Sequence, residues 1–182
     1  MKEKGFLFKI INSFAEKVAP KLYVHSVSDI DFEKLKKIGI EGIVLDLDNT
    51  ILPWKDYNVP PISLNWVNEG KKQGMKFFIL SNTIHTKRLA HISETLKCDY
   101  IHPAFKPQPI NYYRAAKKLK ISPKNMACVG DQLFTDIKGG NKAGFYTILV
   151  DQIDQKEFKG TKISRFFEKI IKKYIKSIDL IL

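Results

Sequence analysis

Four short, unbroken apolar runs and a weaker fifth recur along the chain, each separated from the next by a stretch with helical periodicity. The runs are GIVLDL (42–47), KFFILS (76–81), DYIHP (99–103), NMACVGD (125–131) and FYTILV (145–150). A strand with one face in water alternates apolar and polar residues, so continuous apolar runs need cover on both faces. The intervening stretches DFEKLKKIG, PISLNWVNEGKKQG, TKRLAHISETLK, PINYYRAAKKLK and LFTDIKGGNKAG supply that cover as helices. Gly39 and Gly74 close two of them, Pro109 opens another, and Gly139 with Gly140 weakens the last. The pattern predicts an α/β fold: a doubly wound, mostly parallel, Rossmann-like sheet with helices on both sides. With 182 residues and no repeats, low-complexity tracts or linkers, the chain reads as a single domain.

Composition narrows the class. A hydrophobic fraction of 44% and 12 Phe exclude a disordered chain. Cys98 and Cys128 are too few for a disulfide framework and fit a reducing cytosol, and the four histidines lack metal-ligand spacing. No segment reaches the roughly 18 apolar residues of a spanning helix. The opening MKEKGFLFKIINSF has the basic end and apolar stretch of a signal peptide. Lys9 interrupts it, however, and no small-residue cleavage site follows, so it reads as a retained amphipathic helix over about 5–18. The net charge of +12 points to an anionic partner such as lipid, nucleic acid or a phosphorylated metabolite, or simply to a basic, soluble surface.

In doubly wound sheets ligands bind beyond the carboxyl ends of the strands, so the residues ending the runs carry the functional signal. The first run ends in Asp46 and Asp48, with Asn49 and Thr50 behind. The second ends in Ser81 and Asn82. Lys106 follows the third, and Gly130 and Asp131 end the fourth with Asp136 close by. Each alone has a structural reading, as a turn, a helix cap or a solvated lysine. Together they form a set suited to a phosphate monoester. That ester is nearly a dianion at neutral pH and would be repelled by three carboxylates without a divalent cation. Hard oxygen ligands suit Mg²⁺. Lys106 would neutralise the phosphate, and Ser81 and the Asn82 amide would hold its oxygens. Asp46 could then attack phosphorus as a carboxylate nucleophile. Asp48, about 6.5 Å further along an extended chain, could serve as general acid and base.

These motifs resemble those of the haloacid dehalogenase (HAD) superfamily. DLDNT is similar to its motif I, D-x-D-x-T; the Ser81-Asn82 pair, Lys106 and GDQLFTD are similar to motifs II, III and IV. DLDNTILPW, HPAFKPQP, GDQLFTDIKGGNKAGFYTILV and the upstream PKLYVHSVSDID resemble the YqeG-like branch of the subfamily IIIA phosphatases, which is related to mitochondrial phosphatidylglycerophosphate phosphatases. The resemblance implies Asp46 as nucleophile and Asp48 as general acid/base. It implies Mg²⁺ on Asp46, the Asp48 carbonyl and Asp131, and phosphate on Ser81 and Lys106. Asp136 would support the metal or Lys106, and Thr50 would brace the motif I loop. SNT stands where relatives often read SNN, which leaves Thr83 without an assigned role.

Neither interval between motifs I, II and III is long enough for a large cap, so an open site is expected. Trp54, Tyr57 and Pro53, Pro60 and Pro61 beside it read either as a lipid-contacting rim or as a loop packed on its own domain. A C-terminal amphipathic helix over about 162–179 has Ile163, Phe166, Phe167, Ile170, Ile171, Tyr174, Ile175 and Ile178 on one stripe and lysines opposite. It reads either as docked on the sheet or as lying on anionic lipid. The expected function is a cytoplasmic Mg²⁺-dependent phosphomonoesterase, peripheral on the inner membrane face if its substrate is phosphatidylglycerophosphate. The alternatives are a soluble phosphatase acting on metabolites or nucleic-acid ends, and a receiver-like or polyanion-binding module without turnover.

Overall fold

A computed structural model describes residues 12–154 and 167–175. Residues 5–11, 162–166 and 176–179 of the two expected terminal helices lie outside the described residues. The strands are β1 (Leu22–Tyr23), β2 (Gly42–Leu45), β3 (Lys76–Leu80), β4 (Tyr100–Ile101), β5 (Met126–Gly130) and β6 (Tyr146–Leu149). They form one fully parallel sheet in the order β1-β6-β5-β2-β3-β4. Helical residues 12–18 form α1, followed by α2 (Phe32–Lys37), α3 (Pro61–Lys72), α4 (Thr86–Leu96), α5 (Ile110–Leu119) and α6 (Lys138–Ala143), with residues 167–175 as α7.

The apolar runs are buried on both faces, as their continuity requires. In β2, Ile43 and Leu45 face a core built with Trp66 and Val67 of α3 and Leu89 and Ile92 of α4. Val44, between them, faces the opposite side, against Tyr112 and Ala115 of α5 and Phe145. The two glycines of α6 permit close approach. A Cβ on Gly139 would come 2.6 Å from the Tyr112 hydroxyl, and one on Gly140 would come 2.6 Å from Thr147 Cγ2.

From β2 the chain winds outward through β3 to β4, then returns to β5 on the other side of β2 and on to β6. The order therefore reverses between β2 and β5, and a crevice opens beyond their carboxyl ends. The loops that follow β2 and β3, residues 46–60 and 81–85, carry no extra domain over that crevice. On the flank beyond β6, Ala15 and Val18 of α1 and Ile175 of α7 pack with Leu133, Ile137 and Leu149. Among the described residues no helix is long and apolar enough to cross a membrane.

Candidate active site

Strand β2 delivers Asp46 to the crevice. Its backbone N–H still pairs with Val129 O of β5 at 3.0 Å, after which the chain folds back tightly. Leu47 O accepts from the N–H groups of Thr50 (3.1 Å) and Ile51 (2.9 Å), with Asn49 in the left-handed region at φ 65°. This turn brings Thr50 behind Asp46. The Thr50 hydroxyl lies 3.2 Å from Asp46 Oδ2 and 3.2 Å from Asp131 Oδ1. A single hydroxyl proton cannot serve both carboxylates at once.

The motif III loop returns Lys106 to the same point. Asn82 sets its backbone: Lys106 N–H donates to Asn82 Oδ1 at 3.1 Å, and Asn82 Nδ2 donates to Lys106 O at 3.3 Å. The side-chain amide of Asn82 is thus engaged with the loop that carries the lysine. Ser81 is buried, and its hydroxyl oxygen accepts from Thr83 N–H at 3.1 Å, which gives Thr83 a local role through its backbone.

Lys106 Nζ lies 2.5 Å from Asp46 Oδ1 and 2.6 Å from Asp136 Oδ1. Burial alone would lower the lysine pKa, but the carboxylates of Asp136 and Asp46 outweigh it and hold it raised. Burial pushes Asp136 up to about 6 although Lys106 opposes the shift. Asp136 is held from both sides of its own backbone. Gln132 N–H donates to Oδ2 at 3.1 Å, and the buried Tyr112 hydroxyl lies 3.3 Å from the Asp136 carbonyl. Gly130 makes room for it, since a Cβ there would sit 2.3 Å from Asp136 Cγ.

Asp46, Asp131 and Asp136 each offer a carboxylate oxygen within 4.8 Å of the others, all buried. Asp48 is not in this cluster. Its carboxylate turns to Arg88 of α4, with Nη1 donating to Oδ2 at 3.2 Å and Nη2 2.8 Å from Oδ1. Sequence reasoning missed Arg88. The signal was there: Arg88 stands four residues before Ile92 on the stripe that Leu89, Ile92 and Leu96 bury, a place where a solvated arginine does not belong.

Four carboxylates, of Asp46, Asp48, Asp131 and Asp136, thus face two cations, Lys106 and Arg88, before any phosphate arrives. An all-oxygen, acid-rich donor set with this charge excess fits a hard divalent cation such as Mg²⁺.

Comparison with known proteins gives a consistent picture. The family model described as mitochondrial PGP phosphatase matches residues 7–153, a span containing every residue of the site described above. "Probable phosphatase YqeG" of Bacillus subtilis (strain 168) is 35% identical over 152 residues, covering 84% of this chain and 88% of that protein. Phosphatidylglycerophosphate phosphatase 1, chloroplastic/mitochondrial, of Arabidopsis thaliana is 25% identical over 169 residues, 87% of this chain and 49% of that longer one. Among solved structures, an uncharacterized protein from Listeria monocytogenes serotype 4b superposes with a TM-score of 0.51 at 17% identity, over 74% of this chain and 99% of that one. D,D-heptose 1.7-bisphosphate phosphatase from B. bronchiseptica, complexed with magnesium and phosphate, gives 0.50 at 16%, over 60% of this chain and 80% of that one. At these identities the structural likeness is one of fold.

Proposed function

The chain belongs to the mitochondrial PGP phosphatase family, and from that premise we propose that this phosphatase is a Mg²⁺-dependent phosphomonoesterase working through an aspartyl-phosphate. Membership of a phosphatase family sets aside the binding-module alternative. The observation that carries the proposal is the buried constellation of Asp46, Lys106, Asp136, Asp131 and Thr50 at the point where the strand order reverses.

The roles follow from position. Asp46 is the nucleophile: Lys106 and Thr50 fix its two oxygens and keep the carboxylate oriented toward the incoming phosphorus. Lys106 then partners the phosphoryl oxygens, and Ser81, whose hydroxyl oxygen is already engaged by Thr83 N–H, has its proton to donate to them. Asp48 gives a proton to the departing alcohol and takes one from the water that hydrolyses the aspartyl-phosphate. Asp46, Asp131 and the Asp48 carbonyl would hold Mg²⁺, with Asp136 supporting the site. Bound there, the ion would offset the negative charge of the carboxylates and the phosphoryl group.

For substrate, the proposal is phosphatidylglycerophosphate, taken at a membrane surface. Two things support a lipid phosphate: the family and the apolar mouth of the cleft. Tyr57, Ile62, Ile84, Phe105, Ile110 and Ile153 all stand exposed on the loops and first helical turns at the carboxyl end of the sheet. Among the described residues, Ile38 is their exposed counterpart on the loops of the opposite edge. Charge does not distinguish the readings, because the last turns of α2, α3, α5 and α6 gather lysines at that opposite edge.

The test is a substrate panel of phosphatidylglycerophosphate in vesicles, soluble sugar phosphates and 5′-phosphorylated oligonucleotides, each run with Asp46→Asn as control. The proposal expects the vesicle substrate to be preferred and the variant to be inactive on all three. Preference for a soluble phosphate would replace the lipid assignment while leaving the phosphatase chemistry intact.

A further inference from the structure

We infer that Arg88 is a positioning residue for Asp48, holding that carboxylate beside the three-aspartate cluster as the proton-transfer group. The inference rests on the reading of Asp48 as general acid and base.

Arg88 is among the most deeply buried side chains, at 1% exposure, and its contacts go to the loop that follows Asp46. Its Nε donates to Asp56 O at 2.5 Å, which anchors the guanidinium from the far side of Asp48. The planar fork then meets the carboxylate with Nη1 3.2 Å from Oδ2 and Nη2 2.8 Å from Oδ1. Lys55 N–H donates to Oδ1 as well, at 3.2 Å. Each carboxylate oxygen thus accepts one hydrogen bond, Oδ2 from Arg88 Nη1 and Oδ1 from Lys55 N–H, and Nη2 adds a close ion-pair contact to Oδ1.

A buried guanidinium stays charged and has few places to move, so it fixes the carboxylate it meets. Without it, Asp48 would be one more carboxylate two residues from Asp46, free to turn toward the same cation as Asp46, Asp131 and Asp136. The arginine thereby separates the labour of two aspartates on one strand end. In the first half-reaction the Asp48 O–H proton passes to the ester oxygen as that oxygen's bond to phosphorus breaks and the Asp46 oxygen–phosphorus bond forms. In the second, Asp48 takes a proton from water as the water oxygen bonds to phosphorus and the Asp46 bond breaks. Arg88 exchanges no proton in either step.

Leaving-group dependence tests this. An aryl phosphate such as p-nitrophenyl phosphate expels a stable anion and needs little protonation, whereas phenyl and alkyl phosphates need it fully. Asp48→Asn is expected to lower kcat by about 10²–10⁴-fold more on phenyl phosphate than on p-nitrophenyl phosphate. Arg88→Met should show the same sign, by about tenfold or more, with KM nearly unchanged, and Arg88→Lys should recover part of it. In the Asp48→Asn background Arg88→Met should add no further leaving-group dependence. The readout is a ratio within one protein, so partial loss of folded material cancels. Equal loss by Arg88→Met and Arg88→Lys on both substrates would overturn the proposal and leave Arg88 as a loop brace. Absence of leaving-group dependence in Asp48→Asn itself would instead overturn the general-acid assignment on which it rests.

Discussion

Lys106 Nζ lies 2.5 Å from Asp46 Oδ1, with the lysine side chain 4% and the aspartate side chain 10% exposed. Two opposite charges this far from water are stable only because each also meets other partners: Asp136 for the lysine, Thr50 for the aspartate. The pair comes from loops 60 residues apart, brought together by the sheet's winding and by the Asn82 amide that sets the Lys106 backbone. In the proposed reaction this contact is exchanged, because phosphoryl oxygens take up the ammonium as Asp46 meets phosphorus.

Removing the ammonium should therefore cost stability as well as activity. Lys106→Met leaves Asp46 and Asp136 buried without their cation, and breaking a buried pair in this way costs roughly 3–5 kcal/mol. The expected result is a markedly lower Tm in EDTA, partly recovered by millimolar Mg²⁺, with no phosphatase turnover in either condition. An unchanged Tm in EDTA would show that the carboxylates do not depend on Lys106.

Gly130 should tolerate no side chain. An added Cβ would fall 2.3 Å from Asp136 Cγ and 2.4 Å from its Cβ, atoms held in place by Gln132 N–H and by the segment's packing on Tyr112. Gly130→Ala should cost about 1–3 kcal/mol by overpacking. A displacement of Asp136 of about 1 Å should lower kcat on the order of 10²-fold. Melting curves and initial rates on one preparation check both. Wild-type kcat would mean that the position of Asp136 is not critical.

Much of this was legible in the sequence, for a physical reason. A buried strand must be apolar throughout, so a carboxylate, hydroxyl or Gly-Asp step at its end is conspicuous, and Asp46, Ser81 and Asp131 all stand where a run breaks. What escaped notice has equally physical causes. The β1 strand is two residues, Leu22–Tyr23, paired along β6, too short for any period to show. Leu133–Ile137 forms a π-helical turn ahead of α6, although its composition reads as continuous helix. Arg88 lies 40 positions from its partner Asp48, and a sequence carries no distance between them. The Asn82 amide looked suited to phosphate because its neighbour Ser81 is, yet the fold turns it to the backbone of Lys106.

Metal binding should separate the aspartates without reference to turnover. Asp131 belongs to the three-carboxylate cluster, whereas the Asp48 carboxylate is committed to Arg88. Isothermal titration of the metal-free protein with Mg²⁺ is expected to show binding in the wild type, its loss in Asp131→Asn and its retention in Asp48→Asn. EDTA should abolish phosphatase activity and added Mg²⁺ restore it. Equal loss in both variants would place the Asp48 carboxylate on the ion and remove the reason for separating the two roles.

The C-terminal helix is tied to the site as well as to the flank. Glu168 of α7 is buried and accepts from Phe134 N–H at 3.1 Å, at the start of the turn that carries Asp136. Glu168→Ala should leave that N–H without this acceptor, at about 1–3 kcal/mol. It should also weaken Mg²⁺ binding severalfold, a coupling that a helix serving only as a flank would not show. Tm and the Mg²⁺ titration together measure it, and a lower Tm with unchanged Mg²⁺ affinity would confine Glu168 to stability.

The apolar rim makes the lipid reading testable apart from the chemistry. Ile84 is 82% and Phe105 63% exposed, on the loops after β3 and β4 that flank the cleft, and neither contributes its side chain to the buried cluster. Aspartate at both positions leaves the core untouched, so Tm should change little. On a bilayer, each exposed side chain that would enter the interface instead carries a charge that resists it, and two negative charges are further repelled by anionic lipid. Ile84→Asp/Phe105→Asp should therefore cut activity on phosphatidylglycerophosphate vesicles by about tenfold or more, because two apolar contacts with the bilayer are lost. On p-nitrophenyl phosphate in solution its kcat should remain within about twofold of the wild type. Sedimentation with vesicles should fall in parallel with the vesicle activity. The same variant-to-wild-type ratio on both substrates would show that the rim plays no part in reaching the phosphate, and the basic edge opposite the cleft would then be the surface to test against lipid.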